Sequence, residues 1–80
     1  MRLDVLKKYI LTGREIEFSY CGEMYSITYT FDDNRQIINF CHFYHSSVDY
    51  GSFEELIDSA TVDGKYLREV LAQIDGIVVY

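Results

Sequence analysis

Proline and tryptophan are absent from this 80-residue chain, and long apolar runs are absent as well. Without proline or a low-complexity stretch the chain has nothing typical of a linker, so we expect one domain over residues 1–80. The apolar runs reach only three or four residues, far fewer than the roughly 20 that a transmembrane helix needs. The opening MRLDVLKKYILTG also lacks the unbroken apolar segment of a secretory signal.

Cysteine is scarce, with two residues in the chain. Two cysteines without a secretory signal are typical of reduced thiols rather than of a disulfide framework. We therefore expect a cytoplasmic protein, and its small size favours an origin in a bacterium or one of its mobile elements.

Apolar and aromatic residues, by contrast, are abundant enough for a packed core. Hydrophobic residues make up 49% of the chain and aromatic residues 16%, well above the content of a disordered chain. A domain of this size buries about 60–65% of the surface of its unfolded chain. The composition thus predicts a small folded domain.

The first half of the chain begins with a helical pattern of apolar residues and continues with a strand pattern. Residues 3–11 carry one broad apolar face, and Gly13 follows where a helix C-terminus favours glycine. From Glu15 onward apolar residues alternate with polar ones, a period typical of half-buried strands. The predicted strands are residues 15–20, 24–31 and 36–43.

Turn residues predict how these strands pair. A two-residue turn at Gly22-Glu23, of type II′ with glycine first, would place Tyr20 opposite Tyr25 and bring the apolar side chains to one face. The same register pairs Cys21 with Met24, Phe18 with Ile27 and Ile16 with Tyr29. A two-residue Asp33-Asn34 turn extends the apolar face to a third strand. Its pairs are Tyr29–Ile38, Ile27–Phe40, Tyr25–His42, Thr28–Asn39 and Ser26–Cys41.

The second half of the chain predicts two helices and a short strand. Ser52 and Glu55 have the spacing of a capping box in front of a helix at residues 53–60. A helix at residues 64–74 follows, and the closing IVVY favours a short fourth strand. The expected fold is α+β in the order α-β-β-β-α-α, a three-stranded antiparallel meander with helices covering its apolar face. The buried stripe of the last helix is Leu67, Val70, Leu71 and Ile74.

The stretch FCHFYHSSVDY, residues 40–50, crowds together residues that are typical of metal sites. Strand alternation points His42 to the core and Cys41 to the opposite face, so the two cannot bind one ion. Cys21 lies two strands away from Cys41, about 10 Å at the usual strand spacing. That distance exceeds the reach of a disulfide and of two ligands on one zinc ion. We predict no metal or cofactor site.

The same stretch could also hold a nucleophile with its base. Cys41 could pair with His42 or His45, or a serine at 46–47 with a histidine and Asp49. Such a pair needs the base within about 3 Å and a third group to orient it, which sequence neighbours rarely supply. We therefore predict no catalytic residue and keep a Cys41-dependent enzyme as a remote alternative.

Charge is distributed unevenly along the chain, whose net charge is −6. From Glu15 to Asp63 there are ten acidic residues and one basic residue, Arg35, a net of −9. Nucleic-acid binding needs a basic stripe, and so does an anionic membrane surface. The segment therefore excludes direct binding to either and favours a basic protein as partner.

Two groups of acids could meet such a partner, one at the start of the helix at 53–60 and one along the first hairpin. Tyr50 could anchor the contact that the carboxylates steer. The predicted partner-binding residues are Asp49, Tyr50, Glu54, Glu55, Asp58, Glu15, Glu17 and Glu23. The ordinary alternative is that acids in the first helical turn stabilise the helix by about 0.3–1 kcal/mol each and otherwise keep the protein in solution.

In size and charge the chain is similar to small acidic inhibitors of phages and mobile elements, including some anti-CRISPR and anti-restriction proteins, and to immunity proteins against nucleases. The similarity is one of type and not of sequence motif. It implies a non-enzymatic inhibitor or regulator that docks as a nucleic-acid mimic on the basic groove of an enzyme. The alternative is a small ligand-binding or homo-oligomeric housekeeping module that uses exposed aromatic residues. Formation of a homodimer is a further alternative.

Overall fold

The chain folds into an antiparallel sheet that is covered on one side by helices. In the computed structural model, which describes residues 1–80, the elements in chain order are α1 (Leu3–Leu11), β1 (Ile16–Tyr20), β2 (Glu23–Asp32), β3 (Arg35–His42), β4 (Val48–Tyr50), α2 (Phe53–Ser59), β5 (Thr61–Val62), β6 (Lys65–Tyr66), α3 (Leu67–Val70), a 3-10 turn (Leu71–Gln73) and β7 (Asp75–Val79). Five strands form one sheet in the order β4-β3-β2-β1-β7, and β5 pairs with β6 as a separate short ladder. The α+β class is confirmed, although the number and order of the strands differ from the expected ones.

Alternation along the strands decides which face of the sheet is buried. Side chains at alternate positions are buried along β1, and in β2 at Tyr25 and Ile27. The rings of Phe18 and Tyr25 stack with centroids 5.4 Å apart. Each such side chain removed from water contributes about 1.5–3 kcal/mol. No polar or charged residue is buried. The core consists of Leu6, Ile10, Ile16, Phe18, Tyr20, Tyr25, Ile27, Ile38, Phe40, Phe53, Leu56, Ile57, Ala60, Val62, Leu67, Val70, Leu71 and Ile74.

The turn between β1 and β2 differs from the predicted one. Tyr20 pairs with Glu23 and not with Tyr25, so the two-residue turn is Cys21-Gly22 and the predicted register is wrong. Both turn residues have positive φ, 50° and 81°, which is the geometry of a type I′ turn. Because the register moves by two residues, every apolar side chain keeps its face. The observed pairs are Ile16–Ile27, Glu17–Ser26, Phe18–Tyr25, Ser19–Met24 and Tyr20–Glu23.

The turn between β2 and β3 is the predicted one. Asp32 pairs with Arg35 across Asp33-Asn34, and both turn residues again have positive φ, 49° and 64°. Asparagine and aspartate tolerate this conformation better than most residues do. The five predicted pairs of this hairpin are all confirmed, namely Tyr29–Ile38, Ile27–Phe40, Tyr25–His42, Thr28–Asn39 and Ser26–Cys41.

The predicted helix at residues 64–74 is wrong at its beginning. Asp63-Gly64 forms a further two-residue turn with φ of 53° and 78°, so Val62 pairs with Lys65 and a helix begins only at Leu67. Asp-Gly is a preferred type I′ dipeptide, and here it overrides the helical periodicity. The predicted apolar stripe is nevertheless buried, at Leu67, Val70, Leu71 and Ile74.

The start of α2 has the predicted cap. The Ser52 hydroxyl accepts the backbone N–H of Glu55 at 3.1 Å, and the Glu55 carboxylate accepts the N–H of Gly51 at 2.9 Å. The carboxylate thus reaches one residue further back than in the standard capping box, where it meets the N-cap residue itself. The helix ends at Ser59, close to the predicted boundary.

The edges of the sheet are β4 and β7. β4 lies between the predicted third strand and the predicted helix at 53–60, where no strand was predicted, and it pairs with β3. β7 is the predicted C-terminal strand, and it pairs antiparallel with β1, with an irregular register between Glu17 and Ser19. β1, expected at an edge, is therefore an inner strand. None of the helices has the length and hydrophobicity needed to cross a membrane.

Candidate functional site

One face of the sheet is open because the helices pack on the other. We call it the outer face and define it by the strand positions that point away from the core. None of its side chains is buried. The outer face comprises Glu17, Ser19, Met24, Ser26, Thr28, Thr30, Ile37, Asn39, Cys41, Asp49 and Val78, and Asp32 and Arg35 continue it at the tip of the β2–β3 hairpin.

Hydroxyl and amide groups occupy the centre of the outer face, and carboxylates lie around them. Asp49 on β4 accepts a hydrogen bond of 2.7 Å from the side-chain amide of Asn39 on β3. Glu17 on β1 accepts one of 2.8 Å from the Tyr80 hydroxyl. That hydrogen bond, more than burial, raises the pKa of Tyr80. Both carboxylates are thus oriented by neighbouring side chains while remaining open to solvent on one side.

Asp75 is a third carboxylate of this face, at the beginning of β7. The Ser19 hydroxyl donates to its carboxylate and also to its backbone carbonyl oxygen, the latter at 3.2 Å. Glu15 immediately precedes β1, and its backbone carbonyl accepts the Tyr80 N–H at 2.8 Å. Four carboxylates on three different strands or strand ends therefore border one uncovered surface.

Basic residues do little to neutralise this surface. Arg35, the single base at an outer-face position, stands opposite Asp32 in the β2–β3 register, at the far tip of the hairpin. Arg14 lies beside the sheet, where its Nε donates to the backbone carbonyl of Tyr80. The carboxylates of Glu17, Asp49 and Asp75 around the outer face have no lysine or arginine partner within salt-bridge distance.

The acidic residues of α2 lie elsewhere and have local partners. We call Glu54, Glu55 and Asp58 the helix patch. Glu54 is 3.8 Å from the Lys7 ammonium, and Asp58 is 3.2 Å from the Arg68 guanidinium. Glu55 accepts the N–H of Gly51. Each acid of the helix patch therefore has a capping or ion-pairing role, although all three are exposed.

Two further predicted partner-binding residues stand apart from both groups. Glu23 pairs with Tyr20, a core-face position, and its carboxylate lies 3.7 Å from the imidazole Nε2 of His42. Tyr50 is half-buried and packs against the core, and burial raises the pKa of its hydroxyl. The structure thus brings Asp49, Glu15 and Glu17 to one surface and separates them from Glu23, Tyr50 and the helix patch.

The cysteine and histidines of residues 40–50 are arranged by strand alternation and a tight turn. His42 stacks between Tyr25 and His45, with ring centroids at 4.6 Å and 4.2 Å. The Cys41 thiol, on the outer face, lies 3.3 Å from the backbone carbonyls of His42 and His45. These carbonyl oxygens are acceptors and do not remove a proton as a catalytic base does. Groups of three or more metal-ligating side chains are not found.

Sequence reasoning missed two contributors to the outer face, Asp75 and Tyr80. Both depend on the pairing of β7 with β1, two strands that lie far apart in the sequence. The apolar IVVY run signals a strand but carries no information about its neighbour. No pocket is found in the structure.

Comparison with known proteins finds no relative, since no family model, curated protein or solved structure matches the chain.

Proposed function

We propose that this protein acts by stoichiometric, non-enzymatic binding of a basic protein surface through its outer face. The observation that carries the proposal is the set of carboxylates around an uncovered five-stranded sheet, at Glu15, Glu17, Asp49 and Asp75. In a cytoplasmic setting, the basic surfaces that such a face fits are the grooves of nucleic-acid enzymes. The proposed outcome is inhibition or regulation of such an enzyme by occupation of its groove.

The geometry of the outer face supports recognition of arginine and lysine. Asp49 on β4 and Glu17 on β1 are separated by three strand spacings, about 14 Å. Between them, Asn39, Thr28 and Ser26 offer hydrogen-bonding groups. Guanidinium groups bind carboxylates with paired, charge-assisted hydrogen bonds and use neutral acceptors nearby. Opposite charge across such an interface speeds association more than it adds affinity.

The helix patch has a secondary place in this proposal. Its carboxylates are partly compensated by Lys7 and Arg68 or engaged in capping. Exposed pairs of this kind contribute only about 0–1 kcal/mol, so a partner could displace them. The helix patch adds to the overall negative field, whereas the outer face supplies uncompensated contacts.

The lack of a pocket disfavours the small-ligand alternative, because such sites are concave and enclose most of the ligand. The enzyme alternative would require Cys41 to act as a nucleophile. Cys41→Ser should therefore leave binding and inhibition intact, and loss of function in a folded Cys41→Ser protein would support the enzyme instead.

The test is a pull-down from the native host at low and high salt, followed by binding kinetics with the recovered basic partner. The double variant Glu17→Gln/Asp49→Asn removes two charges and keeps both side-chain hydrogen-bond acceptors. Its matched control, Glu54→Gln/Asp58→Asn, makes the same charge change on α2. We expect the outer-face variant to slow association roughly tenfold, within the range of electrostatic steering, and the control to have a smaller effect.

Three results would contradict the proposal. One is recovery of no basic partner at low salt. Another is binding that is indifferent to both double variants. A third is equal slowing by both, which would mean that net charge acts without a defined surface.

A further inference from the structure

The chain leaves β3 through a tight turn that carries two stacked histidines. We call residues 42–45 the histidine turn, in which the His45 N–H donates to the His42 carbonyl oxygen at 2.9 Å. The two imidazole rings stack with centroids 4.2 Å apart and planes 12° from parallel. On its other side the His42 ring stacks on the buried Tyr25 ring at 4.6 Å. The histidine turn thus closes a stack of rings that begins in the core.

The backbone of the histidine turn is held in an unfavourable conformation. Tyr44 has a φ of 69° at the third position of the turn, where a type II turn favours glycine or asparagine. Its side chain is fully exposed, so burial does not offset this strain. The closed turn therefore depends on its other contacts. They are the ring stack, the hydrogen bond of the Phe43 N–H to the Met24 carbonyl at 2.9 Å and the contact of the Cys41 thiol with the His45 carbonyl at 3.3 Å.

The charged groups around the two rings offset one positive charge and not two. The Glu23 carboxylate lies 3.7 Å from His42 Nε2, so it attracts a charge on His42, whereas His45 forms no ion pair. Two charged rings about 4 Å apart repel each other. The titratable and charged groups of the surrounding elements are Glu23 and Tyr25 on β2, Cys41 on β3 and, around Tyr25, Tyr20, Cys21, Asp63 and Lys65. Asp63 and Lys65 have opposite charges, so Glu23 is left as the main compensating group.

We propose that the histidine turn is a pH-sensitive switch in the connection from β3 to β4, which opens when both imidazoles are charged. Histidine is the side chain whose charge ordinarily changes between about pH 5 and pH 8. The repulsion between the two rings acts only while they are stacked, so falling pH favours the open turn. Opening also releases the strain at Tyr44, whose φ is positive only because the turn is closed.

The segment that the switch releases leads directly to the edge strand β4. This strand begins at Val48, shortly after the histidine turn, and it is bound to the sheet on one side only. Its first pair with β3 is Val48–Phe40, so opening of the turn should loosen this pair before the others. β4 carries Asp49 of the outer face, and the switch would thus make that edge of the outer face sensitive to pH. It is measured on the free protein and stands independently of the proposed function.

The experiment is amide hydrogen exchange followed by NMR at about pH 7.5 and about pH 5.5, on the two sides of the ordinary histidine titration. The lower value stays above the sequence pI of ≈ 4.6. Protection factors remove the effect of pH on the intrinsic exchange rate. We expect the protection of the Phe43 and His45 amides to fall about tenfold on acidification, as repulsion between charges about 4 Å apart requires. The amide of Ile27, on an inner strand, should keep its protection.

Matched variants separate the pair of charges from a general effect of acid. His45→Gln leaves one charge, which Glu23 offsets, so protection of the Phe43 amide should not fall on acidification. Glu23→Gln removes the compensating carboxylate and should enlarge the fall beyond that of the wild type. Its control, Glu54→Gln, makes the same charge change beside Lys7 on the other side of the molecule and should leave the fall unchanged.

Two results would overturn the proposal. One is a fall of protection in His45→Gln as large as in the wild type, which would mean that the second imidazole has no part in opening. The other is an equal loss of protection at Ile27 in the wild type, which would mean that acid unfolds the whole domain and not the histidine turn.

Discussion

At the scale of single residues, Tyr29 links the sheet to the connection that follows α1. Its hydroxyl donates to the backbone carbonyl of Arg14 at 2.7 Å, and its ring packs against the core. Burial, with a smaller effect of the Glu15 charge, raises the pKa of Tyr29 from 10.0 to about 12. A side chain on the rim of the core therefore couples folding to proton binding.

Loss of the Tyr29 hydroxyl proton should make the protein less stable at alkaline pH. Because the folded protein holds this proton more tightly than the unfolded chain does, the stabilisation is complete below pH 10.0 and is lost as pH rises toward about 12. Denaturant unfolding across this window should give a falling free energy of unfolding. Tyr29→Phe should cost about 1 kcal/mol at neutral pH through the lost hydrogen bond, and flatten the alkaline decline.

The control for this prediction is Tyr44→Phe, since Tyr44 is fully exposed. It should leave the alkaline slope unchanged. If the free energy of unfolding of Tyr29→Phe fell with pH as steeply as that of the wild type, the alkaline decline would come from other tyrosines. Burial also raises the pKa values of Tyr25 and Tyr50.

Individual side-chain faces could be read from the sequence wherever they lie in a regular strand. The predicted orientation of Cys41 to the outer face and of His42 to the core side agrees with their contacts. The same alternation could not identify Asp75 as part of the outer face, since its place depends on the pairing of β7 with β1, which are far apart in the sequence. Local pattern determines the face of a residue, and only topology determines its neighbours.

At the scale of elements, two-residue turns organise the fold. Cys21-Gly22, Asp33-Asn34 and Asp63-Gly64 all have positive φ at both positions. Type I′ turns of this kind match the natural twist of paired strands. Alternation alone could not place the first of these turns, because registers two residues apart put the same side chains in the core. The third carries a recognisable Asp-Gly signal, which the helical periodicity of the following residues obscured.

Cys21 is the least suited residue in these turns, and replacing it should stabilise the protein. Its φ of 50° lies in the left-handed region, which costs most residues about 1–2 kcal/mol. Asparagine is the preferred residue at this position of a type I′ turn. Cys21→Asn should therefore raise the free energy of unfolding by about 0.5–1 kcal/mol and the melting temperature by about 2–8 °C.

Cys21→Val is the matched control for this turn. It also removes the thiol, but a β-branched residue in the left-handed region is strained. Valine should lower the melting temperature while asparagine raises it. Equal effects of the two variants would mean that loss of the thiol, and not backbone conformation, determines the change.

At the scale of the whole molecule, the helices cover one face of the sheet with apolar contacts. The other face is exposed and is bordered by acidic residues. Acidic residues outnumber lysine and arginine by 13 to 7. Three ion pairs involve lysine or arginine, Arg2–Asp4, Lys7–Glu54 and Arg68–Asp58, and all are exposed. Such pairs contribute about 0–1 kcal/mol each. Unpaired negative charge therefore outweighs the attractive pairs in the electrostatics of the folded state.

Salt should consequently stabilise this protein. Raising the salt concentration from about 0.01 M to about 0.15 M screens repulsion among the acids more than it weakens the few ion pairs. Thermal unfolding should show a melting temperature that increases over this range. If surface ion pairs dominated instead, the melting temperature would decrease.

The size of the salt effect should follow the net charge. Repulsion in a uniformly charged body grows with the square of its charge. Glu17→Gln/Asp49→Asn changes the net charge of −6 to −4 and should reduce the salt-induced rise to about 0.4–0.5 of the wild-type value. Lys8→Gln changes the net charge to −7 and should enlarge the rise to about 1.4 times. Melting curves in the two salt concentrations measure both ratios. Equal rises of the melting temperature in all three proteins would mean that salt stabilises the fold by strengthening apolar burial and not by screening surface charge.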